Sequence, residues 1–393
     1  MSQASYGRRA VAVCCSVVFT LAIFLPMTVQ VLKLDTRQKV AEAGGQGMPE
    51  LDWRWKSLEV VVQLFTQGWL DRNFGFRGDL IRWYNYASAK VFGSMSSSAP
   101  VVVGRQGWLF LAKDQNRDVM EEHRAVHPLR PEQMEAIKRV YEERQAWLAQ
   151  RGIRYLVAVA PNKDTIYPEF LPPEYEQVGP VSRLDQLMDY LDHNSSLNVL
   201  DLRQTLRQAK KDIQVFYSTD SHWNAFGAFP CYQAIINRLA ADFPGLKPMD
   251  MSQFTPERFT YLGGDLSYLV GLEGLVTEDR VYLLPKRPLA ARAVSLDRFV
   301  PGYITPAQAS EKKDPHLPKA VFFHDSYFWE IQPFLGEDFS RAVYVWVRPW
   351  VGDKPQFFDK ELIEAEHPDV VVEEIAERFF IPQSQNQPAG AGQ

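Results

Sequence analysis

Tyr155-Leu156-Val157-Ala158-Val159-Ala160 is an unbroken apolar run of strand length. It does not alternate with polar residues, so it predicts a strand covered on both faces, as in a parallel sheet. Residues 131–150, just before it, read as a charged amphipathic helix with Pro131 in the first turn, where the missing N–H is tolerated. Residues 181–191 read as the next helix. The alternation then continues, with short strands at 198–200, 214–217, 320–323, 342–346 and 369–372 and helices at 225–239 and 359–365. Strands alternating with helices imply an α/β fold, a mostly parallel sheet covered on both sides.

Outward from this frame, Val101-Val102-Val103-Gly104 and Gly107-Trp108-Leu109-Phe110 read as two short strands around a tight turn. Leu58, Val61, Val62, Phe65 and Trp69 fall at helical spacing and suggest a helical lead-in, within a region 34–100 that begins as a glycine-containing linker. Residues 101–380 are expected to form the main domain. Within it the Pro-, Gly- and Asp-rich stretch 243–318 breaks the rhythm and is expected to form an insertion or loops over one sheet edge. Residues 381–393 form a polar tail that cannot bury a core.

The N-terminus sets a second expectation. No charge occurs from Ala10 to Leu32, a stretch that spans roughly 30 Å as a helix, the thickness of a bilayer's hydrocarbon core. Arg8 and Arg9 precede it, which favours a cytoplasmic N-terminus. Residues 1–33 therefore read as a stub and transmembrane anchor, with residues 34–393 on the outer side. The rival, a cleaved signal peptide, requires a shorter apolar run, and Ala41-Glu42-Ala43 lies well past this one. Outside the run only Cys231 remains, so the outer part has no intramolecular disulfide.

The chain has 393 residues, 46% hydrophobic and 23% charged, the balance of a globular protein. A net charge of −5 without a basic cluster argues against nucleic acid as a partner. The seven histidines are scattered, and only His123 and His127 are spaced i,i+4, so no metal is expected. No glycine-rich phosphate loop follows a strand, so no nucleotide cofactor is expected either.

Chemistry in open α/β sheets sits past the carboxyl ends of the strands. Two expected strand ends stand out: Ser218-Thr219-Asp220-Ser221-His222-Trp223-Asn224 and His324-Asp325-Ser326-Tyr327-Phe328. An Asp two residues before a His can hold its Nδ1–H and leave Nε2 free as a base, and a serine opening a turn can offer its hydroxyl to that base. Read on residues alone, the two blocks are a pair of capped helix starts before they are a triad.

The run Tyr217-Ser-Thr-Asp-Ser-His-Trp-Asn-Ala-Phe-Gly-Ala228 closely resembles the signature of the alginate O-acetyltransferase family of SGNH-like proteins. Phe74–Arg77, Gly104–Phe110, Ala160–Tyr167, Gly264-Asp-Leu266, Asp325-Ser326 and Pro368–Glu374 with Glu377-Arg378 resemble the same family in the same order. The resemblance implies an SGNH-like three-layer sandwich with Ser326 as nucleophile, His222 as base and Asp220 as its orienting carboxylate. Ser326 follows the Asp-x-His pair, the reverse of ordinary SGNH esterases, so the triad order is permuted. Asn162, Lys163, Tyr327 (through its N–H) and Arg348 are candidate oxyanion or substrate-binding groups, with surface ion pairing the plainer role for Lys163 and Arg348. His324 stands where many relatives have a small residue, and local packing is expected of it.

The resemblance further implies an O-acetyltransferase of the bacterial inner membrane, its C-terminal domain in the periplasm. A membrane-bound O-acyltransferase would be its acetyl donor and an exopolysaccharide its acceptor. An esterase acting on the same esters and a non-catalytic polysaccharide-binding scaffold are the alternatives. The first shares the acyl-serine step and differs in whether water resolves it.

Overall fold

The structure, a computed structural model, describes residues 77–96, 98–114, 117–348 and 355–382, together with five isolated positions between 13 and 28. The expected anchor, linker, lead-in helices and polar tail lie almost entirely outside the described residues. Among the described residues no helix is long and apolar enough to cross a membrane. The chain divides into two units, 1–88 and 89–393. In the first, Arg77–Ala87 is a helix with Trp83 and Tyr84 exposed.

The second unit opens with a hairpin of β1 (Val101–Val103) and β2 (Leu109–Leu111), followed by two-residue strands β3 (Lys113–Asp114) and β4 (Arg117–Asp118). The central sheet has seven strands. Its strands are β5 (Arg154–Ala160), β6 (Val199–Asp201), β9 (Arg292–Val294), β10 (Gln308–Glu311), β11 (Lys319–His324), β12 (Arg341–Trp346) and β13 (Val370–Ala376). Their order is β6-β5-β13-β11-β12-β10-β9. The first five run parallel; β10 pairs antiparallel with β12, and β9 with β10.

Alternate residues of the parallel strands enter opposite cores, which makes the fold a three-layer sandwich. Leu156, Ala158, Phe322 and Val372 pack beneath the helix Ala225–Leu239. Val157, Val159, Val321, Phe323 and Val371 pack against the helices Pro131–Ala149, Arg183–Asn194 and Lys360–Glu366. The two faces explain why β5 carries no polar alternation.

Two sequence expectations are corrected. Residues 214–217 form no strand: Phe216 makes a single antiparallel bridge to Trp223, because the chain doubles back at once to enter the following helix. The stretch 243–318 is not only loops. It contains an antiparallel hairpin of β7 (Phe254–Tyr261) and β8 (Glu278–Pro285), and then supplies β9 and β10, which extend the sheet. Short strands with exposed faces carry too little apolar pattern to stand out in sequence.

Candidate active site

The Phe216–Trp223 bridge pinches residues 217–222 into a loop closed by the Tyr217 N–H on the His222 carbonyl, 3.3 Å. Inside the loop sits Lys163, just past the C-terminal end of β5. Its ammonium donates to the carbonyls of Tyr217 (3.1 Å), Ser218 (3.0 Å) and Asp220 (2.7 Å). Burial pushes its pKa down to about 8, against the pull of Glu278, Asp220 and Asp265. Lys163 is thus neither a surface ion pair nor a substrate ligand. It is the strut that shapes the loop.

A second brace comes from the hairpin. Glu278 accepts the hydroxyls of Ser218 (2.7 Å) and Thr219 (2.6 Å). Gly264, in the connection between β7 and β8, passes directly over Asp220; a Cβ there would lie 2.4 Å from the Asp220 Cβ and 2.6 Å from its Cα. The close approach lets the Asp265 N–H reach the Asp220 Oδ2 at 3.2 Å. Arg280 Nη2 donates to the same oxygen at 2.8 Å.

The other oxygen, Asp220 Oδ1, faces the imidazole: 2.7 Å to His222 Nδ1 and 3.1 Å from the His222 backbone N–H. Across the ring, His222 Nε2 lies 2.8 Å from Ser326 Oγ. Burial opposes charge on Asp220, yet the hydrogen bond and charge of His222 and the Arg280 guanidinium hold its carboxyl well below the ordinary range. Burial likewise opposes the imidazolium, but Asp220 and then Asp265 outweigh it and raise the His222 pKa.

Ser326 opens a short 3₁₀ turn, Ser326–Glu330, at the C-terminal end of β11. Asp325 caps that turn: its Oδ1 accepts the Tyr327 N–H at 2.9 Å and its Oδ2 the Ala376 N–H at 2.6 Å. The serine is therefore tied to the end of the neighbouring strand β13. The two blocks also clasp each other directly, since Trp223 Nε1 donates to the Tyr327 carbonyl and the Tyr327 hydroxyl to the Ser221 carbonyl, both at 2.9 Å.

The structure therefore brings Asp220, His222 and Ser326 together in one hydrogen-bonded chain. Tyr327 is corrected: its N–H is committed to Asp325, so it has no donor left for an oxyanion. The Ser326 N–H has no acceptor among the described residues. Asn162 is buried one layer back, its N–H on Glu377 (2.9 Å) and its side-chain oxygen 3.4 Å from Arg378. Arg348 follows β12 with its N–H on the Gly302 carbonyl and its side chain exposed; no contact with the triad is made among the described residues. His324 packs locally as expected, stacked on Phe328 with ring centroids 4.4 Å apart and Nδ1 2.7 Å from the Asp325 carbonyl. Burial lowers its pKa to about 4, so it stays neutral.

Asp265, Glu278 and Arg280 were not reached by sequence reasoning. Only the Gly264-Asp-Leu266 similarity pointed at the first, and a two-stranded ribbon gives no periodic signal for the others. Asp265 also accepts the Ser221 N–H (2.6 Å) and hydroxyl (2.5 Å). Asp220, His222 and Asp265 present ligand atoms within 4.8 Å of one another, a spacing compatible with a cation. Their lone pairs already serve donors of this chain, and the Arg280 guanidinium sits on Asp220 as a fixed positive charge.

A three-layer α/β sandwich with an acid–histidine–serine chain past its strand ends defines the class of SGNH-like serine acyl-transfer proteins. Comparison with known proteins gives the particular family. The SGNH hydrolase-like domain of the acetyltransferase AlgX matches residues 101–297, and the chain belongs to this family. A probable alginate O-acetylase AlgJ of Pseudomonas aeruginosa is 27% identical over 301 residues, covering 71% of this chain and 70% of that protein. Its namesake from Pseudomonas putida is 31% identical over 138 residues, 34% of this chain and 32% of that one. Among solved structures, the O-acetyltransferase domain of Pseudomonas putida AlgJ aligns at a TM-score of 0.45 and 19% identity, covering 74% of this chain and 93% of that one. Bacillus cereus PatB1 aligns at a TM-score of 0.49 and 16% identity, covering 73% and 98%.

Proposed function

We propose that this chain is an O-acetyltransferase that carries acetyl on Ser326 and delivers it to hydroxyls of an exopolysaccharide. The observation that supports this most is the unbroken run of hydrogen bonds from Asp220 through His222 to Ser326. Relatives named as alginate O-acetylases suggest the acceptor class.

In this reading His222 Nε2 takes the Ser326 proton as Oγ attacks the acetyl carbonyl. The Ser326 N–H steadies the oxyanion. The donor's leaving group departs with the proton from His222, and acetyl-Ser326 remains. An acceptor hydroxyl then attacks the acyl carbon, gives its proton to His222, and Ser326 leaves with that proton restored. Asp220 keeps the proton on Nδ1 throughout and balances the imidazolium.

The donor in this reading is a membrane-bound O-acyltransferase. Acetyl-CoA is cytoplasmic, and residues 10–32 would anchor the chain in the inner membrane with its main domain in the periplasm. Arg348, exposed beyond β12, is available to an acidic sugar's carboxylate.

The test uses the full chain with an activated acetyl ester and oligosaccharides of acidic and neutral sugars. Mass spectrometry should find acetyl on the peptide containing Ser326 and then on the sugar, with both lost in Ser326→Ala. Free acetate alone, whatever sugar is present, would replace this reading with an esterase. Acetylated sugar formed by Ser326→Ala would overturn the role of the serine.

A further inference from the structure

The hairpin β7–β8 has two unlike faces. One carries Phe254, Val281 and Leu283 into the core beneath the helix Ala225–Leu239 and accounts for why the hairpin stays in place. The other carries Phe259, Tyr261 and Tyr282, which remain 48%, 45% and 37% exposed. Three large rings, each more than a third exposed on one ribbon face, make an open aromatic surface.

These rings form a continuous array. Phe259 and Tyr282 meet edge to face with centroids 5.8 Å apart, and the Tyr282 and Tyr261 hydroxyls are 3.3 Å apart. Arg280 lies on the same face, because side chains two apart along a strand point the same way. Its guanidinium sits 5.3 Å from the Tyr261 ring and 5.3 Å from the Tyr217 ring while it binds Asp220. The array therefore runs unbroken from open solvent to the acid of the triad.

We propose that this aromatic face is the acceptor subsite, holding the pyranose rings of a glycan that flank the sugar being acetylated. The proposal rests on the acceptor being a glycan, as argued above. The chemistry favours a sugar over a protein partner. Flat rings stack on the C–H faces of a pyranose, and the exposed Glu257 carboxylate, opposite Tyr282 on the same face, suits its hydroxyls. A protein-docking patch would be expected to deplete charge at its centre. A polymer whose hydroxyl reacts at Ser326 must also extend beyond the reacting residue, and this face adjoins the triad through Arg280 and Asp220.

The experiment measures binding and transfer on the full chain, with a mannuronate hexamer and cellohexaose as probes. Phe259→Ala and Tyr282→Ala, made separately and together, should weaken binding of the preferred oligosaccharide by about tenfold or more and raise the acceptor KM in parallel. Tyr282→Phe should restore both, since the ring and not the hydroxyl does the stacking. Because the rings are half exposed, folding should survive, and an unchanged thermal transition checks it. Saturation-transfer NMR on the wild type should place sugar protons against aromatic protons. Binding equal in wild type and double variant, or no binding of either probe by the wild type, overturns the platform. Ring-dependent binding without acetyl transfer would retain the platform and sink the acetyltransferase reading instead.

Discussion

Replacing Asp220 by Asn changes one atom and should reverse the chemistry of the site. Two donors, the Arg280 Nη2 at 2.8 Å and the Asp265 N–H at 3.2 Å, converge on Oδ2. In Asp220→Asn they fix the amide oxygen on that side, so the NH₂ must turn toward His222. It then donates to Nδ1, which can accept only if the ring proton has moved to Nε2. That proton points at Ser326 Oγ, 2.8 Å away, and the ring can no longer take the serine's own. A base held in the wrong tautomer costs about 10³–10⁴-fold in turnover, or roughly 4–5.5 kcal/mol of barrier. The His222 backbone N–H also loses its acceptor, which should destabilise the fold by about 1–3 kcal/mol. Nitrogen-15 NMR of the imidazole, with turnover of an activated acetyl ester, checks both claims. If Asp220→Asn keeps more than about a tenth of the rate, or if its Nδ1 stays protonated, the orientation argument is wrong.

Lys163→Met keeps the length of the strut but leaves three carbonyls without their donor. After relief of burying an ammonium, about 2–4 kcal/mol of stability should be lost, read by denaturant unfolding. In Gly264→Ala the new methyl meets the Asp220 backbone, so turnover should fall by far more than the unfolding free energy; equal losses would mean the connection only stabilises. The pH profile carries a fourth expectation. His222 must be neutral to accept a proton and its folded pKa is raised, so activity should climb as pH rises through that raised value, above the ordinary 6.5. Asp265→Asn removes one of the charges that raise it and should move this limb to lower pH; a limb that stays put would show that Asp265 acts only on Ser221.

The parallel core was legible because its cause is local. A strand covered on both faces is mostly apolar, and Tyr155–Ala160 and Ala320–Phe323 carry that pattern in consecutive residues. The triad was legible in part for the same reason, since Asp220 and His222 are two residues apart and Asp325-Ser326 are adjacent. Their meeting was legible only through resemblance, because no spacing relates them. What escaped was set by long-range geometry. The N–H of Tyr327 looked available until Asp325 was seen to take it, and Lys163 looked like a surface cation because its carbonyl partners lie more than fifty positions away. Arg280 and Glu278 sit on a ribbon whose fold depends on what it packs against.

The strand order has a consequence for how the molecule is made. β13, at the middle of the parallel strands, is the last strand among the described residues, yet it separates β5 from β11 and supplies the Ala376 N–H that holds Asp325. Until it is synthesised, the largely apolar strands β5 and β11 have no neighbour on their inner edges, and Asp325 lacks one of its two backbone donors. A chain cut short before Val370 should therefore not be a slightly weakened enzyme but an aggregation-prone one without activity.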